Sequence, residues 1–520
     1  MNRDDTLQRL RENPTGWDVI VVGGGATGVG VALDAAARGH EVALLEASDF
    51  GKGTSSRSTK LIHGGVRYLQ QGNVPLVMEA LRERGILRAN APHLVHDLPF
   101  VVPNYKWWEA PFYGVGMRVY DAMAGKYGFG ASKNLSREET LERIPNLEDD
   151  GLRGGVVYHD GQFDDARLLV ALARTADAQG AALLNYAPVT GLRKDDEGFV
   201  CGVTLRDEET GEALELRAKV VINATGVFTD AVRHMDDPGL RAVVRPSQGV
   251  HVVLPRRFLA GDAAIMVPHT DDGRVLFAIP WLDRVLVGTT DTPVDTPSLE
   301  PRALPEEVDF LLEHARRYME DDPHAEDVLS VFAGLRPLVA ADDAADTAEI
   351  SREHAVRVSD SGLVTIAGGK WTTYRKMAED AVDVAQAVGG LEERASPTRE
   401  LNIQGFHVHA EKFGRLAPYG SEAPEVEALM ASRPGWNGGV HPRLELTPGE
   451  VAWFARQEMA RTVDDVLARR SRALILDARA AAEAAPTVAA VLAGELGRDE
   501  DWAASQVRSF RKLAAGYVLP

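Results

Sequence analysis

The sequence predicts an α/β fold in which a Rossmann-like dinucleotide-binding domain is interleaved with an antiparallel-sheet lobe and followed by a helical domain. Three observations predict it. A strand, a glycine turn, a helix and a second strand follow one another within about 30 residues near the start of the chain. Residues 218–226 and 363–369 are later apolar runs that fit the same buried sheet, and alternating patterns typical of antiparallel strands lie between. From Pro448 onward alanine, arginine and leucine dominate a helical pattern.

The glycine turn carries a nucleotide signature. Gly23, Gly25 and Gly28 have the spacing G-x-G-x-x-G, after a strand and at the start of a helix. The first glycine permits a tight turn, the second lets the backbone approach a pyrophosphate, and the third lets helix and strand pack closely. Glu46 ends the second strand, where a carboxylate accepts from both ribose hydroxyls and disfavours NADP. The motif alone does not separate FAD from NAD.

Three glycine-containing segments together favour FAD. Residues 54–68 form a loop rich in small hydroxyl side chains and glycines, and then in cations, which can wrap a larger cofactor than NAD. Residues 223–226 make a second glycine turn after a buried strand. Residues 368–375 make a third, with a helix beginning near Thr372. The positive end of that helix is suited to the flavin edge at which negative charge accumulates on reduction.

The same patterns predict the domain organisation. Residues 249–255 and 284–291 alternate as antiparallel strands with one wet face. With FAD as cofactor, the expected architecture is a Rossmann-like FAD-binding domain interleaved with an antiparallel-sheet substrate domain, plus a C-terminal helical domain. The expected limits are 1–395 for the oxidoreductase region, with FAD-binding parts at about 17–75, 150–245 and 330–390 and a substrate lobe at about 76–149 and 246–329, and 396–520 for the helical domain.

Composition excludes several classes of protein. The chain has 57 Lys and Arg against 77 Asp and Glu, a net charge of −20, which disfavours nucleic-acid binding. One cysteine, Cys201, excludes an intramolecular disulfide and fits a reducing compartment. We predict no metal site, because His407 and His409 lie in a polar stretch without further plausible ligands. No signal peptide and no membrane-spanning run is expected.

Four motifs in order, TSSRSTKLIHGGVRYL, PWLDRVLVGTTD, AGLRPL and GGKWTTYRKMAE, give a specific resemblance that extends over essentially the whole chain. The chain resembles the FAD-dependent glycerol-3-phosphate dehydrogenases, members of the D-amino-acid-oxidase-like flavoprotein superfamily. The resemblance implies noncovalent FAD, oxidation of sn-glycerol 3-phosphate to dihydroxyacetone phosphate, and electron delivery to membrane quinone. It implies a cytoplasmic enzyme, peripheral on the inner face of the cytoplasmic membrane; a homodimer is left open.

Residues are carried over from the resemblance position by position. The pyrophosphate turn is Gly23, Gly25 and Gly28, with Glu46 as the ribose partner. The other cofactor positions are Thr54, Ser55, Ser58, Lys60, Leu61, His63, Ala224, Gly226, Gly369, Lys370, Trp371 and Thr372. The substrate positions are Arg67, Tyr68, Arg352 and Lys370. His251 is the first choice for the base and Arg336 lies beside the developing alkoxide; without the resemblance, His251 reads as a structural histidine on a strand.

Residues 103–133 combine eight aromatic side chains with four basic and two acidic residues. This composition suits the headgroup region of a bilayer, but aromatic residues packed inside the second lobe would explain it equally well.

The sequence leaves two other functions open. One is an oxidase that passes the same electrons to oxygen, and the other is a flavin-binding regulatory protein without turnover.

Overall fold

The computed structural model describes residues 1–13, 15–65, 72–268, 270, 274–339 and 354–519. Its helices are α1 (Arg3–Glu12), α2 (Ala26–Ala37), α3 (Val74–Asn90), α4 (Glu109–Ala124), α5 (Arg137–Arg143), α6 (Asp165–Ala178), α7 (Thr229–Asp236), α8 (Pro305–Arg316), α9 (Tyr374–Val388), α10 (Ala423–Ala431), α11 (Pro448–Gln457), α12 (Ala473–Leu476), α13 (Ala478–Leu496) and α14 (Glu500–Ala514).

The strands fall into two sheets. They are β1 (Trp17–Val22), β2 (Val42–Leu45), β3 (Leu61–Ile62), β4 (Val95–Asn104), β5 (Lys133–Leu135), β6 (Gly154–Phe163), β7 (Ala182–Leu184), β8 (Val189–Lys194), β9 (Val200–Arg206), β10 (Ala213–Asn223), β11 (Val244–Pro255), β12 (Ala264–Val267), β13 (Leu276–Trp281), β14 (Arg284–Gly288), β15 (Thr292–Pro293), β16 (Ser330–Val339), β17 (His354–Val358) and β18 (Val364–Gly368).

The first sheet has the order β17-β18-β10-β1-β2-β7, and the β8–β9 hairpin extends from β10. Strands β18, β10, β1, β2 and β7 run parallel, which confirms that the four predicted runs share one sheet. Side chains on one face of β1, such as Val21, pack with α2, α6 and α9. Side chains on the other face, such as Ile20, pack with α1 and the hairpin. The sheet is therefore covered on both faces, as a doubly wound domain requires.

The glycine turn joins β1 to α2 by direct backbone contact. A Cβ on Gly28 would lie 1.9 Å from the carbonyl oxygen of Gly23. Gly23 itself has φ +107°, a conformation that residues with a side chain rarely adopt. Both positions therefore need glycine, and the close packing predicted for Gly28 is present.

The second sheet has the order β15-β11-β14-β13-β12-β4-β6-β3, with β16 on the free side of β11 and β5 beside β6. Most pairs are antiparallel, as predicted, and β12 with β4 is parallel. Strands β3, β6 and β16 belong to this sheet, although the sequence places them in the FAD-binding parts. The prediction that one face of β11 is exposed to solvent is wrong. Val250, Val252 and Leu254 face one core, while the opposite face of the strand is buried as well.

The C-terminal helices share a core with the second sheet. Leu474, Ile475 and Ala478 belong to the same apolar cluster as Phe332 and Leu286 of that sheet. A π-helical segment, Asp465–Arg470, precedes α12. The predicted helical domain is thus present, and it packs as a continuation of the oxidoreductase region.

Ionic contacts also join this domain to the rest of the chain. Asp165 begins α6 and is fully buried. Its Oδ1 accepts a hydrogen bond from Arg472 Nη2 at 2.9 Å, and its Oδ2 accepts from Lys60 Nζ at 2.7 Å and from Ser58 N at 3.0 Å. Burial raises the pKa of Asp165, but Lys60 and Arg472 more than offset this, so the pKa stays below its ordinary value. One ionised carboxylate thereby ties together α6, the loop before β3 and the C-terminal domain.

The aromatic side chains of residues 103–133 divide between the interior and the surface of the protein. Tyr113 and Tyr120 face inward from α4 and are buried. Trp107 is 78 % exposed and Phe112 is 54 % exposed, on the opposite side. Among the residues that the structure describes, no helix is both long enough and apolar enough to cross a membrane.

We expect Gly28→Ala to lower the free energy of unfolding by about 3 kcal/mol or more, because the new methyl group would overlap a backbone carbonyl that cannot move freely. Gly494→Ala is the control. Gly494 lies exposed inside α13 with nothing near its missing Cβ, so alanine should stabilise the helix by ~0.5–1 kcal/mol. Thermal and denaturant unfolding measure both changes. Equal stabilities of the two variants would contradict the contact.

We expect Arg472→Leu to cost about 3–5 kcal/mol, since it leaves the buried Asp165 without one of its cations. Arg498→Leu removes an arginine of the same domain that is 39 % exposed and pairs with Glu209, and it should cost less than ~1 kcal/mol. Denaturant unfolding compares the two. A cost for Arg472→Leu no larger than that of Arg498→Leu would disprove the importance of the buried pair.

Candidate functional site

A cavity of about 730 Å³ lies between the two sheets. Its wall includes the carboxyl ends of the parallel strands, at Val22, Leu45 and Gly368, and one face of the second sheet, at Phe100 and Phe277. Ligands in open α/β sheets bind outside the carboxyl ends of the strands. The cavity therefore occupies the position at which a nucleotide cofactor is expected, and it continues onto the second sheet.

Most of the residues singled out from the sequence meet at this cavity. The lining includes Gly23, Gly25, Glu46, Thr54, Ser55, Ser58, Leu61, His63, Ala224, Gly226, His251, Arg336, Gly369, Lys370, Trp371 and Thr372. Arg67, Tyr68 and Arg352 lie outside the described residues. Segments far apart in the chain are thus brought to one place.

The start of α2 fits a phosphate group. Gly25, Ala26 and Thr27 line the cavity, Gly25 supplies no side-chain cap, and the first turn carries no acidic residue. Ser55 Oγ accepts a hydrogen bond from Ala26 N at 2.9 Å. A helix N-terminus whose first turn carries no negative charge is suited to a pyrophosphate.

Glu46 lies beside this turn. Its carboxylate accepts hydrogen bonds from the backbone N–H groups of Gly24, at 2.5 Å, and Ser48, at 2.8 Å. Burial raises the pKa of Glu46, and these two donors oppose that shift. The carboxylate is therefore held against the glycine turn, at the end of β2 where a ribose would bind.

The loop over the cavity is fixed at both ends. Trp371 Nε1 donates to the carbonyl oxygen of Ser55 at 2.9 Å, and His63 N donates to Thr372 Oγ1 at 3.3 Å. Lys60, which the sequence predicts as a cofactor position, is not part of the cavity lining. Its Nζ is buried and donates to the carbonyl of Ser56 at 2.8 Å as well as to Asp165. Lys60 thus shapes the loop from beneath.

His251 lies on β11 with 2 % of its surface exposed. Its ring stacks on Phe332 with a centroid distance of 4.8 Å and an interplanar angle of 9°. Burial, followed by the positive charges of Lys60 and Arg336, lowers the pKa of His251 to about 3. The imidazole is therefore neutral near pH 7 and carries a lone pair.

Arg336 reaches the same region from β16. Its Nη2 donates to the carbonyl of Thr290 at 3.0 Å, and its Nη1 lies 3.3 Å from Asp291 Oδ1. A Cβ on Gly249 would lie 2.4 Å from Arg336 Nη2, so the guanidinium lies over a glycine. Gly249 and His251 are on one face of β11. The missing side chain therefore lets the cation approach the imidazole.

Several lining residues had no place in the sequence predictions. Thr59 and Gly249 belong to this group, as do the apolar side chains of Phe100, Tyr158 and Phe277. The alternation of β11 could have pointed to Gly249, because it shares the face of His251. No local signal distinguishes the aromatic residues from ordinary core residues, since only the folded sheet brings them to the cavity.

Comparison with known proteins agrees with this geometry. The family model described as FAD dependent oxidoreductase matches residues 18–375. A second model, the C-terminal domain of alpha-glycerophosphate oxidase, matches residues 363–503. The two matches together extend from β1 into α14.

Similar proteins were also found. The mitochondrial glycerol-3-phosphate dehydrogenase of Mus musculus is 43 % identical over 98 % of this chain and 74 % of its own length. The mitochondrial enzyme SDP6 of Arabidopsis thaliana is 42 % identical over 92 % of this chain and 82 % of its own. The solved structure of the glycerol-3-phosphate dehydrogenase from Bacillus halodurans, complexed with FAD, covers 100 % of this chain and 98 % of its own at 30 % identity, with a TM-score of 0.81.

The L-alpha-glycerophosphate oxidase from Mycoplasma pneumoniae shares the fold at 18 % identity, with a TM-score of 0.58 over 74 % of this chain. The cofactor is FAD, and the start of α2, the glycine turn and Glu46 are suited to hold it. The chain belongs to the FAD-dependent glycerol-3-phosphate dehydrogenases, within the FAD dependent oxidoreductase family.

Proposed function

We propose that this protein oxidises sn-glycerol 3-phosphate to dihydroxyacetone phosphate and passes the electrons to membrane quinone. One observation carries the proposal. The neutral imidazole of His251 and the guanidinium of Arg336 occupy one face of the second sheet, in the same cavity as the nucleotide turn. The names of the relatives support the same substrate.

A phosphate monoester carries close to two negative charges and requires fixed cations. Arg336 and Lys370 line the cavity, although the chain as a whole carries a net charge of −20. Arg67, Tyr68 and Arg352 remain proposed partners of the substrate. Arginine suits this task, because its planar guanidinium keeps its charge and can donate two parallel hydrogen bonds.

Oxidation of a secondary alcohol requires removal of a proton from oxygen and of a hydride from C2. FAD, when bound, supplies the acceptor for the hydride. His251 is proposed as the base, since a neutral imidazole can accept the hydroxyl proton. Arg336 would stabilise the negative charge that develops on the oxygen.

A quinone acceptor resides in lipid, so the enzyme needs a surface that touches the membrane. We define the docking face as Trp107, Trp108, Phe112, Val115 and Val119, which are all at least 40 % exposed on and beside α4. Exposed basic side chains surround it at Lys106, Arg118, Lys126 and Lys133. Aromatic residues flanked by cations favour an anionic bilayer interface. We therefore propose peripheral attachment through this face.

The substrate proposal predicts that sn-glycerol 3-phosphate bleaches the visible flavin absorbance of the oxidised holoenzyme under anaerobic conditions. A soluble quinone analogue should then restore the absorbance faster than oxygen does. Stopped-flow absorbance measures both half-reactions, and glycerol without phosphate is the matched control.

A flavin that stays oxidised with substrate would contradict the enzyme assignment. Reoxidation by oxygen that outpaces the quinone analogue and releases peroxide would instead indicate the oxidase.

The docking face predicts that the protein floats with phosphatidylcholine vesicles containing phosphatidylglycerol, and that salt weakens this binding. The triple variant Trp107→Ser, Phe112→Ser and Val115→Ser should lose at least ~100-fold in partitioning, because each apolar side chain contributes about 1.5–3 kcal/mol when buried. Phe199→Ser is the control, since Phe199 is 49 % exposed on a distant hairpin. Wild-type protein that stays with the soluble fraction would rule out direct docking.

A further inference from the structure

The hydroxyl of Thr59 connects the cavity to His251. Thr59 Oγ1 lies 3.0 Å from His251 Nε2. Both residues line the cavity, but Thr59 is half-buried while His251 keeps only 2 % of its surface exposed. The threonine hydroxyl is therefore the more accessible member of the pair to a small molecule.

The ring of His251 has little freedom to turn. Phe332 stacks against one face of it, and a Cβ on Gly288 would lie 2.2 Å from its Cδ2 atom. The other ring nitrogen, Nδ1, is buried and has no hydrogen-bond partner in the part of the chain that the structure describes. Of the two nitrogens, Nε2 is thus the one connected to the cavity, and its neighbour there is Thr59.

We propose that Thr59 is a proton-relay residue between the C2 hydroxyl of the substrate and Nε2 of His251. The proposal rests on the function proposed above. The substrate O–H bond breaks and its proton goes to Thr59 Oγ, while the proton of Thr59 goes to His251 Nε2. The C2 hydrogen leaves with its electron pair to FAD, the oxidant, so the alcohol becomes a ketone and atoms and electrons balance.

Charges around the pair suit a transfer that occurs only with substrate bound. Lys60, on the loop before β3, and Arg336, on β16, disfavour a positive charge on His251, whereas Asp165, on α6, favours it. A phosphate bound beside Arg336 would offset one of the two cations. The imidazole would then accept a proton more readily in the complex than in the free enzyme.

The test compares Thr59→Val, which keeps the shape but lacks the hydroxyl, with Thr59→Ser, which restores it. Anaerobic stopped-flow follows flavin bleaching by sn-glycerol 3-phosphate in each holoenzyme. We expect Thr59→Val to slow bleaching by at least ~100-fold and Thr59→Ser to remain within ~5-fold of wild type, as for loss and recovery of acid–base catalysis. The affinity for propyl phosphate, which lacks the C2 hydroxyl, should change by less than ~3-fold.

A second readout does not depend on turnover. The ¹⁵N NMR signal of His251 Nε2, assigned by its loss in His251→Gln, should shift in Thr59→Val and return in Thr59→Ser. Thr59→Val that bleaches at the wild-type rate, or Thr59→Ser as slow as Thr59→Val, would overturn the relay. An unchanged Nε2 signal in Thr59→Val would do the same. Wild-type flavin that does not bleach would instead refute the proposed function, whatever the NMR signal shows.

Discussion

The site depends on the ion pairs that the buried carboxylate of Asp165 makes. Asp165 begins α6. Its carboxylate accepts hydrogen bonds from Ser58 and Lys60 of the cavity loop and from Arg472 of the C-terminal domain. An unpaired charge in the interior costs free energy, so these three partners are held close to the carboxylate. The path of the loop that carries Thr59 is set by ionic contacts among Asp165, Lys60 and Arg472, none of which lines the cavity. His251 then takes its position from that loop on one side and from Phe332 on the other.

The parts of the fold that could be predicted are those with short-range causes. The turn from Gly23 to Gly28 could be predicted because its strand, turn and helix are consecutive in the sequence, and the expected packing is present. Membership of the second sheet was harder to predict, because the sequences of β6 and β16 are typical of buried strands and would fit either sheet. The burial of the Lys60 side chain could not be predicted for a related reason. Its partner Asp165 lies 105 positions along the chain, so the local pattern could not show that the ammonium group turns inward.

Net charge describes the solvated surface of this protein and says little about its interior. The chain carries −20, yet Arg336 and Lys370 meet at one cavity. Some other arginines are buried, as Arg469 and Arg470 pair with the buried Asp49. Inside the protein the cations and anions are matched locally, and the excess of acid is left for the exterior.

The C-terminal helices share an apolar core with the second sheet and send Arg472 to the carboxylate of α6. The boundary near residue 395 therefore separates two stretches of sequence but does not separate two independent folding units. Removing the C-terminal stretch would expose an apolar face of the sheet and leave Asp165 short of a cation beneath the cavity loop. A helical domain exchanged in from another protein would have to supply the same apolar surface and a cation at the position of Arg472.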